Sequence, residues 1–255
     1  MNVAGERREP VDDRQLLETS VALIKDAARR GIVLRLIGAL GVRVACPRGH
    51  DLLERLGRRT GDVDLAGLGK QWTPIVELFE ERGYDFDERR ALTHGSGRLI
   101  FSHQTGFRVD VFLDRLRMCH EIDMRESLQR YDGLALPAAD LALQKLQIVE
   151  LTRKDVIDLI VLLREHDFSR EERIARLLAD DWGFYHTAAQ NLEHLREESL
   201  AEFAELSDGD RRLVSDRVDE LMRRIEGEPK TLRWKVRAKV GPRTRWYQEV
   251  DELER

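Results

Sequence analysis

Three aspartates carry the sharpest chemical signal in this 255-residue chain. In the run Arg58-Arg59-Thr60-Gly61-Asp62-Val63-Asp64-Leu65, two carboxylates flank one valine. Read as a strand, this run sends Val63 and Leu65 into a core and stands Asp62 and Asp64 together on the other face. A second strand-like run, Phe107-Arg108-Val109-Asp110-Val111-Phe112-Leu113, supplies Asp110 in the same pattern. Ionised carboxylates only accept hydrogen bonds, and three converging from rigid strands suit a hard divalent cation and phosphate chemistry. Transfer of a nucleotidyl group needs such a set. Asp62 and Asp64 would hold the ion that grips a triphosphate, and Asp110 would serve beside the attacking hydroxyl as bridging ligand or general base. An Asp-x-Asp at an exposed strand edge is the bland alternative, so the context has to decide.

The elements that must position these residues follow from periodicity. Leu16, Leu17, Val21, Leu23, Ile24 and Ala27 predict a helix to about Arg30, ended by Gly31. Residues 1–13 read as a polar, poorly ordered lead-in. Ile32 to Ile37 is a buried strand, and Gly38 and Gly41 after it permit a close backbone approach to a ligand. Ala39 to Cys46 predicts a short helix, stopped before Pro47. Pro47 to Arg59 reads as a charged connection, Asp62 to Ala66 as the second strand, and Trp72 to Arg82 as an amphipathic helix. Gly97 to Ser102 and Phe107 to Leu113 form a hairpin turning at Gln104-Thr105-Gly106, with a further strand within 133–136. Beyond Pro137 the pattern is nearly all helical, including a capping-box signature at Ser169-Arg170-Glu171-Glu172. The expected class is α+β: a mixed sheet with flanking helices over residues 1–136, then a helical domain over 137–255 with a basic C-terminal tail.

Composition narrows the function. The formal net charge is −5 with 36% charged residues, which excludes a wholly basic nucleic-acid binder. Cys46 and Cys119 lack metal-ligand spacing and read as reduced, buried thiols. His94, His103 and His120 form no spaced ligand set. No apolar stretch approaches the ~20 residues that cross a bilayer, and the N-terminus is polar and charged, so a cytoplasmic protein with no membrane partner is expected. In the tail, Lys230, Arg233, Lys235, Arg237, Lys239, Arg243 and Arg245 alternate with Trp234, Trp246 and Tyr247. That composition fits a nucleic-acid contact, and equally a solvated tail whose tryptophans pack on the helices.

The runs Leu36-Ile37-Gly38-Ala39-Leu40-Gly41, Arg58-x-Thr60-x-Asp62-Val63-Asp64 and Arg108-Val109-Asp110-Val111 together resemble the DNA-polymerase-β-type nucleotidyltransferase superfamily. With Gln144-Lys145-Leu146 and Arg153-Lys154-Asp155-Val156-Ile157-Asp158, they are similar to the AbiEii-like toxin nucleotidyltransferases of abortive-infection and toxin–antitoxin systems. The resemblance spans roughly Ile32 to Leu163. It implies magnesium as cofactor and a nucleoside triphosphate as co-substrate. It also implies Lys145 as a phosphate contact and Asp158 as a carboxylate beside the site. Gly38 and Ala39 would offer backbone amides, and Arg58 and Thr60 phosphate contacts. Ala39 departs from the superfamily's glycine or serine: it keeps the amide and offers no hydroxyl. The implied acceptor is RNA, such as a transfer RNA end, and the implied partner an antitoxin protein. A small-molecule acceptor, and a fold retained for binding or regulation without catalysis, are the alternatives.

Overall fold

The computed structural model describes residues 12–88, 97–103 and 106–250. Its centre is a five-stranded sheet in the order β1-β2-β5-β4-β3. The strands are β1 (Leu34–Leu36), β2 (Val63–Gly67), β3 (Tyr84–Phe86), β4 (Arg98–His103) and β5 (Arg108–Leu113). β1 and β2 pair antiparallel, β2 and β5 parallel, and β5, β4 and β3 antiparallel in turn. One face of the sheet sends Val63, Leu65, Val109, Val111, Leu99 and Phe101 onto α1 (Asp13–Arg29) and α4 (Trp72–Glu81), where Leu23, Ile24, Leu78 and Phe79 meet them. Phe79 stacks on Phe101 at 4.0 Å between centroids. Burying each such side chain contributes roughly 1.5–3 kcal/mol, so this layer fixes which way the alternate residues of β2 and β5 point.

Those alternate residues face the rest of the chain. β1 runs into α2 (Gly38–Ala45), followed by a 3-10 turn at Pro47–Gly49 and α3 (His50–Arg55). After β5 come a small hairpin, β6 (Arg115–Arg117) and β7 (Glu121–Asp123), and the helix α5 (Arg125–Arg130). The helical half comprises α6 (Ala138–Leu146), α7 (Arg153–Glu165), α8 (Glu172–Asp180), α9 (Trp182–His194), α10 (Asp208–Gly227) and α11 (Leu232–Val240). A second apolar cluster runs from Ile37, Val42 and Leu52 through Leu116 and Ile122 into Leu141, Leu146, Ile157, Ile160, Phe184 and Val218. The two halves therefore share a core across Pro137. Among the described residues no helix is long and apolar enough to cross a membrane.

The mixed α+β class and the strands bearing the aspartates match expectation. Several elements do not. Asp13 is no part of a loose lead-in: it opens α1, is buried, and pairs with Arg43 at 2.9 Å. The first strand is shorter than expected, and residues 133–136 contribute only an isolated bridge from Ala135 to Leu36. Gly41 serves packing rather than a ligand, because a Cβ there would lie 2.9 Å from Leu141 and 3.1 Å from the Leu36 carbonyl oxygen. Glu171, not Ser169, caps α8, accepting from the Arg173 amide. The capping box belongs instead to α7, between Thr152 and Asp155. Residues 1–11, His94 and the hairpin-turn residues Gln104 and Thr105 lie outside the described residues.

Candidate active site

The register of β2 against β5 makes Asp64 and Asp110 direct partners on neighbouring parallel strands. Period-2 alternation puts both on the face away from α1 and α4. Asp62 stands two residues before Asp64, just ahead of the strand. All three line a cavity of about 410 Å³ with Gly38, Ala39, Arg58, Thr60 and Lys145. The N-terminus of α2 enters the same cavity. Gly38 has φ +58°, and a Cβ there would sit 2.5 Å from Asp64 Oδ2, so only glycine lets the helix start against this carboxylate. The Gly38 N–H is not free for a ligand, because it donates to Gln144 Oε1 at 3.1 Å. The orphan amides left at the helix start are those of Ala39 and Leu40.

The cations predicted to meet phosphate are already engaged. Arg58 makes a two-pronged pair with Asp158, Nε to Oδ1 at 2.8 Å and Nη2 to Oδ2 at 2.9 Å. Lys145 Nζ lies 2.9 Å from Asp158 and 3.0 Å from Asp155. Burial works against the charge on Lys145, but Asp158 and Asp155 outweigh it and hold the ammonium above its ordinary pKa. Asp158 is fully buried and does not line the cavity; it anchors Arg58 and Lys145 from behind. Thr60 is held through its backbone, its N–H donating to Asp13 Oδ1 at 2.9 Å.

Asp110 is fully buried, and two arginines converge on its Oδ2, Arg98 Nη2 at 2.8 Å and Arg108 Nη2 at 2.8 Å. Asp64 has no ion-pair partner among the described residues. Burial, then the charges of Asp62 and Asp110, push its carboxyl up to about 7. Three buried polar atoms lining the cavity lack a hydrogen-bond partner: Asp110 Oδ1, Arg98 Nε and Gln144 Nε2. Among the described residues no three carboxylate, histidine or cysteine side chains are gathered closely enough to ligate one ion as they stand. The three aspartates thus share a cavity, with Asp110 turned onto its arginines. A divalent cation fits this chemistry: it would give Asp110 Oδ1 a partner and relieve the repulsion at Asp64.

Sequence reasoning missed Arg98, Arg108 and Gln144. Arg108 was legible, since it lies two residues before Asp110 and so shares its face. Arg98 depends on the β4–β5 register, which sets it opposite Phe112, where its guanidinium lies 4.8 Å from the ring centroid. The cavity lining also includes the apolar side chains of Leu116, Met118, Ile148 and Val250. Val250 reaches it because the C-terminal segment crosses the helical half. Trp246 donates to Thr187 Oγ1 at 3.0 Å, and the Gln248 N–H donates to the Cys119 carbonyl oxygen at 2.9 Å. Thr187 in turn meets His120 Nε2 at 2.9 Å, and burial depresses that imidazole to about 4.

The tail opens with the helix α11 and leaves it before Trp246, and its tryptophans pack on the helical half, Trp234 against Tyr185 and Trp246 against His186. Arg237 is withdrawn from any nucleic-acid role: it lies over Trp182 and donates to the carbonyls of Gly241 and Thr244. Arg245 pairs with Glu249 at 2.8 Å, and Arg233 lies 4.0 Å from Asp180. Arg233, Lys235, Lys239, Arg243 and Arg245 are exposed.

No protein-family model matches this chain, and no curated protein matches it. Among solved structures it is similar to the lincosamide antibiotic adenylyltransferase LnuA, in its lincomycin-bound crystal structure. The two share 14% sequence identity over 57% of this chain and 95% of that one, with a TM-score of 0.39. That score is too low to establish a common fold.

Proposed function

We propose that this chain is a magnesium-dependent nucleotidyltransferase of the DNA-polymerase-β type, moving a nucleoside monophosphate from a nucleoside triphosphate to an acceptor hydroxyl. The observation that carries this reading is the register setting Asp64 beside Asp110 in one cavity with Asp62 and the start of α2. In the reaction, the acceptor oxygen bonds to the α-phosphorus as the bond to the bridging oxygen breaks. Pyrophosphate leaves with that electron pair. The hydroxyl proton passes to Asp110, the carboxylate that borders the attacking oxygen in this reading. Magnesium, held by Asp62, Asp64 and Asp110, would supply charge neutralisation and activation of the attacking oxygen. The amides of Ala39 and Leu40, at a helix N-terminus, suit phosphate oxygens. Arg58, Lys145 and Asp158 act as one buried frame that fixes the cavity wall.

RNA is our first choice of acceptor, with a transfer RNA end and a toxin role restrained by an antitoxin as its fullest form. The exposed Arg233, Lys235, Lys239 and Arg243 support it, since they precede the segment that leads to the cavity. A small-molecule acceptor is the second reading, favoured by the apolar lining residues Leu116, Met118, Ile148 and Val250. Incubation with each labelled triphosphate and magnesium, against total RNA and against hydroxyl-bearing antibiotics, separates them. Label in RNA upholds the first reading, and label only in small molecules replaces it with the second. Absence of label in both arms removes the enzyme.

A further inference from the structure

Four of the cations that line the cavity fall into two ion-paired groups with different charge balance. Arg58 and Lys145 face Asp155 and Asp158, two cations against two anions, all firmly paired. Arg98 and Arg108 share the single carboxylate of Asp110. Within its ion pairs the second group has one cation more than it has carboxylates, and both of its guanidinium groups border the cavity alongside Asp62 and Asp64. Two buried donors without partners, Arg98 Nε and Gln144 Nε2, belong to residues that line it. A buried donor left unsatisfied is costly and is normally matched by a ligand, ion or water. Surplus cations with orphan donors describe an anion site. Two guanidinium forks suit the several oxygens of a phosphate chain better than the one oxygen that both now share.

We propose that Arg98 and Arg108 are the triphosphate-binding cations of this site, held on Asp110 until nucleotide arrives. On binding, their hydrogen bonds to Asp110 Oδ2 break and bonds to phosphate oxygens form, with Gln144 Nε2 as a further donor. The exchange frees Asp110 to act with Asp64. Phosphate and Asp110 thus compete for the same two side chains, and an empty site keeps its third carboxylate neutralised. This inference rests on the nucleotidyltransfer reading and replaces Arg58 and Lys145 as the phosphate contacts.

The test is calorimetric binding of inorganic tripolyphosphate, and of each ribonucleoside triphosphate, without divalent cation. Asp110→Asn removes the competitor, so it should bind tripolyphosphate several-fold more tightly than the wild type. R98Q/R108Q should bind at least about tenfold more weakly, the loss expected for charge-assisted hydrogen bonds. Because that double variant strands a buried carboxylate, R98Q/R108Q/D110N is the companion in which no charge is left unpaired, and it should bind as weakly. Wild-type affinity in the triple variant, or weaker binding by D110N, overturns the exchange while leaving the enzyme reading standing. Failure of the wild type to bind any triphosphate without divalent cation also overturns the exchange, and failure to bind with magnesium added removes the enzyme reading as well.

Discussion

Asp64→Asn is expected to stabilise the cation-free protein while abolishing its activity. Asp64 is set among Asp62 and Asp110, and its carboxyl rises from an ordinary 3.8 to about 7 through burial and those two charges. A group with a raised folded pKa contributes its stability fully below the unfolded value and loses it as the pH climbs through the folded value. The wild type therefore loses stability between about pH 4 and about pH 7. At 1.36 kcal/mol per pH unit, the full loss is about 4 kcal/mol. Asparagine keeps the shape and titrates in neither state. From about pH 5 to about pH 8, two units of that interval remain, so the variant's advantage should widen by about 2–3 kcal/mol. For a chain of this size that is roughly 5–10 °C in melting temperature. Thermal melts of both proteins in chelator at the two pH values read it directly. Taking the difference between them cancels His120, whose depressed pKa pulls wild-type stability the opposite way. A gap that stays constant or narrows with rising pH refutes the argument that Asp64 sits in repulsive company. Magnesium should shrink the gap above pH 7 by binding the charged wild-type site.

Other perturbations have equally definite outcomes. Asp158→Ala leaves Arg58 and Lys145 buried without their shared partner and should cost about 3–5 kcal/mol in urea unfolding; a loss below about 1 kcal/mol contradicts the anchoring role. Gly38→Ala combines a positive φ with a Cβ 2.5 Å from Asp64 Oδ2. It should lower stability by at least about 1 kcal/mol in the same assay and abolish nucleotidyl transfer; retained activity refutes the close approach. Gly183→Ala places a Cβ 2.5 Å from the Trp246 carbonyl oxygen. It should dislodge the C-terminal segment and speed tryptic cleavage after Arg243 and Arg245, read by mass spectrometry. His120, buried and depressed to about 4, contributes stability that is full above about pH 6.5 and lost as the pH falls toward 4. His120→Phe should flatten that acid limb in melts across the range.

The sequence made the aspartates legible because β2 and β5 alternate cleanly and their apolar face has a large partner in α1 and α4. Gly38 was legible because it follows a β-branched run. β6 was hidden: Arg115 and Arg117 flank a single buried Leu116, so the run reads as charged loop. β3 is only three residues long, with one buried side chain, Tyr84. The frame of the site was hidden more deeply. Arg58 and Asp158 are 100 positions apart, and no local period announces that they will meet. The same holds for Gln144 reaching Gly38. Composition in the tail pointed to nucleic acid, yet packing claims Arg237 and both tryptophans, because aromatic rings and a guanidinium gain more from covering α9 than from solvent.

The central claim is that Asp64 and Asp110 hold one divalent cation against a triphosphate. Crystals grown with a nonhydrolysable triphosphate and manganese test it through anomalous scattering. We expect one strong peak between the Asp64 and Asp110 carboxylates, absent in Asp64→Asn. A manganese peak elsewhere, or nucleotide bound away from β2 and β5, would contradict it.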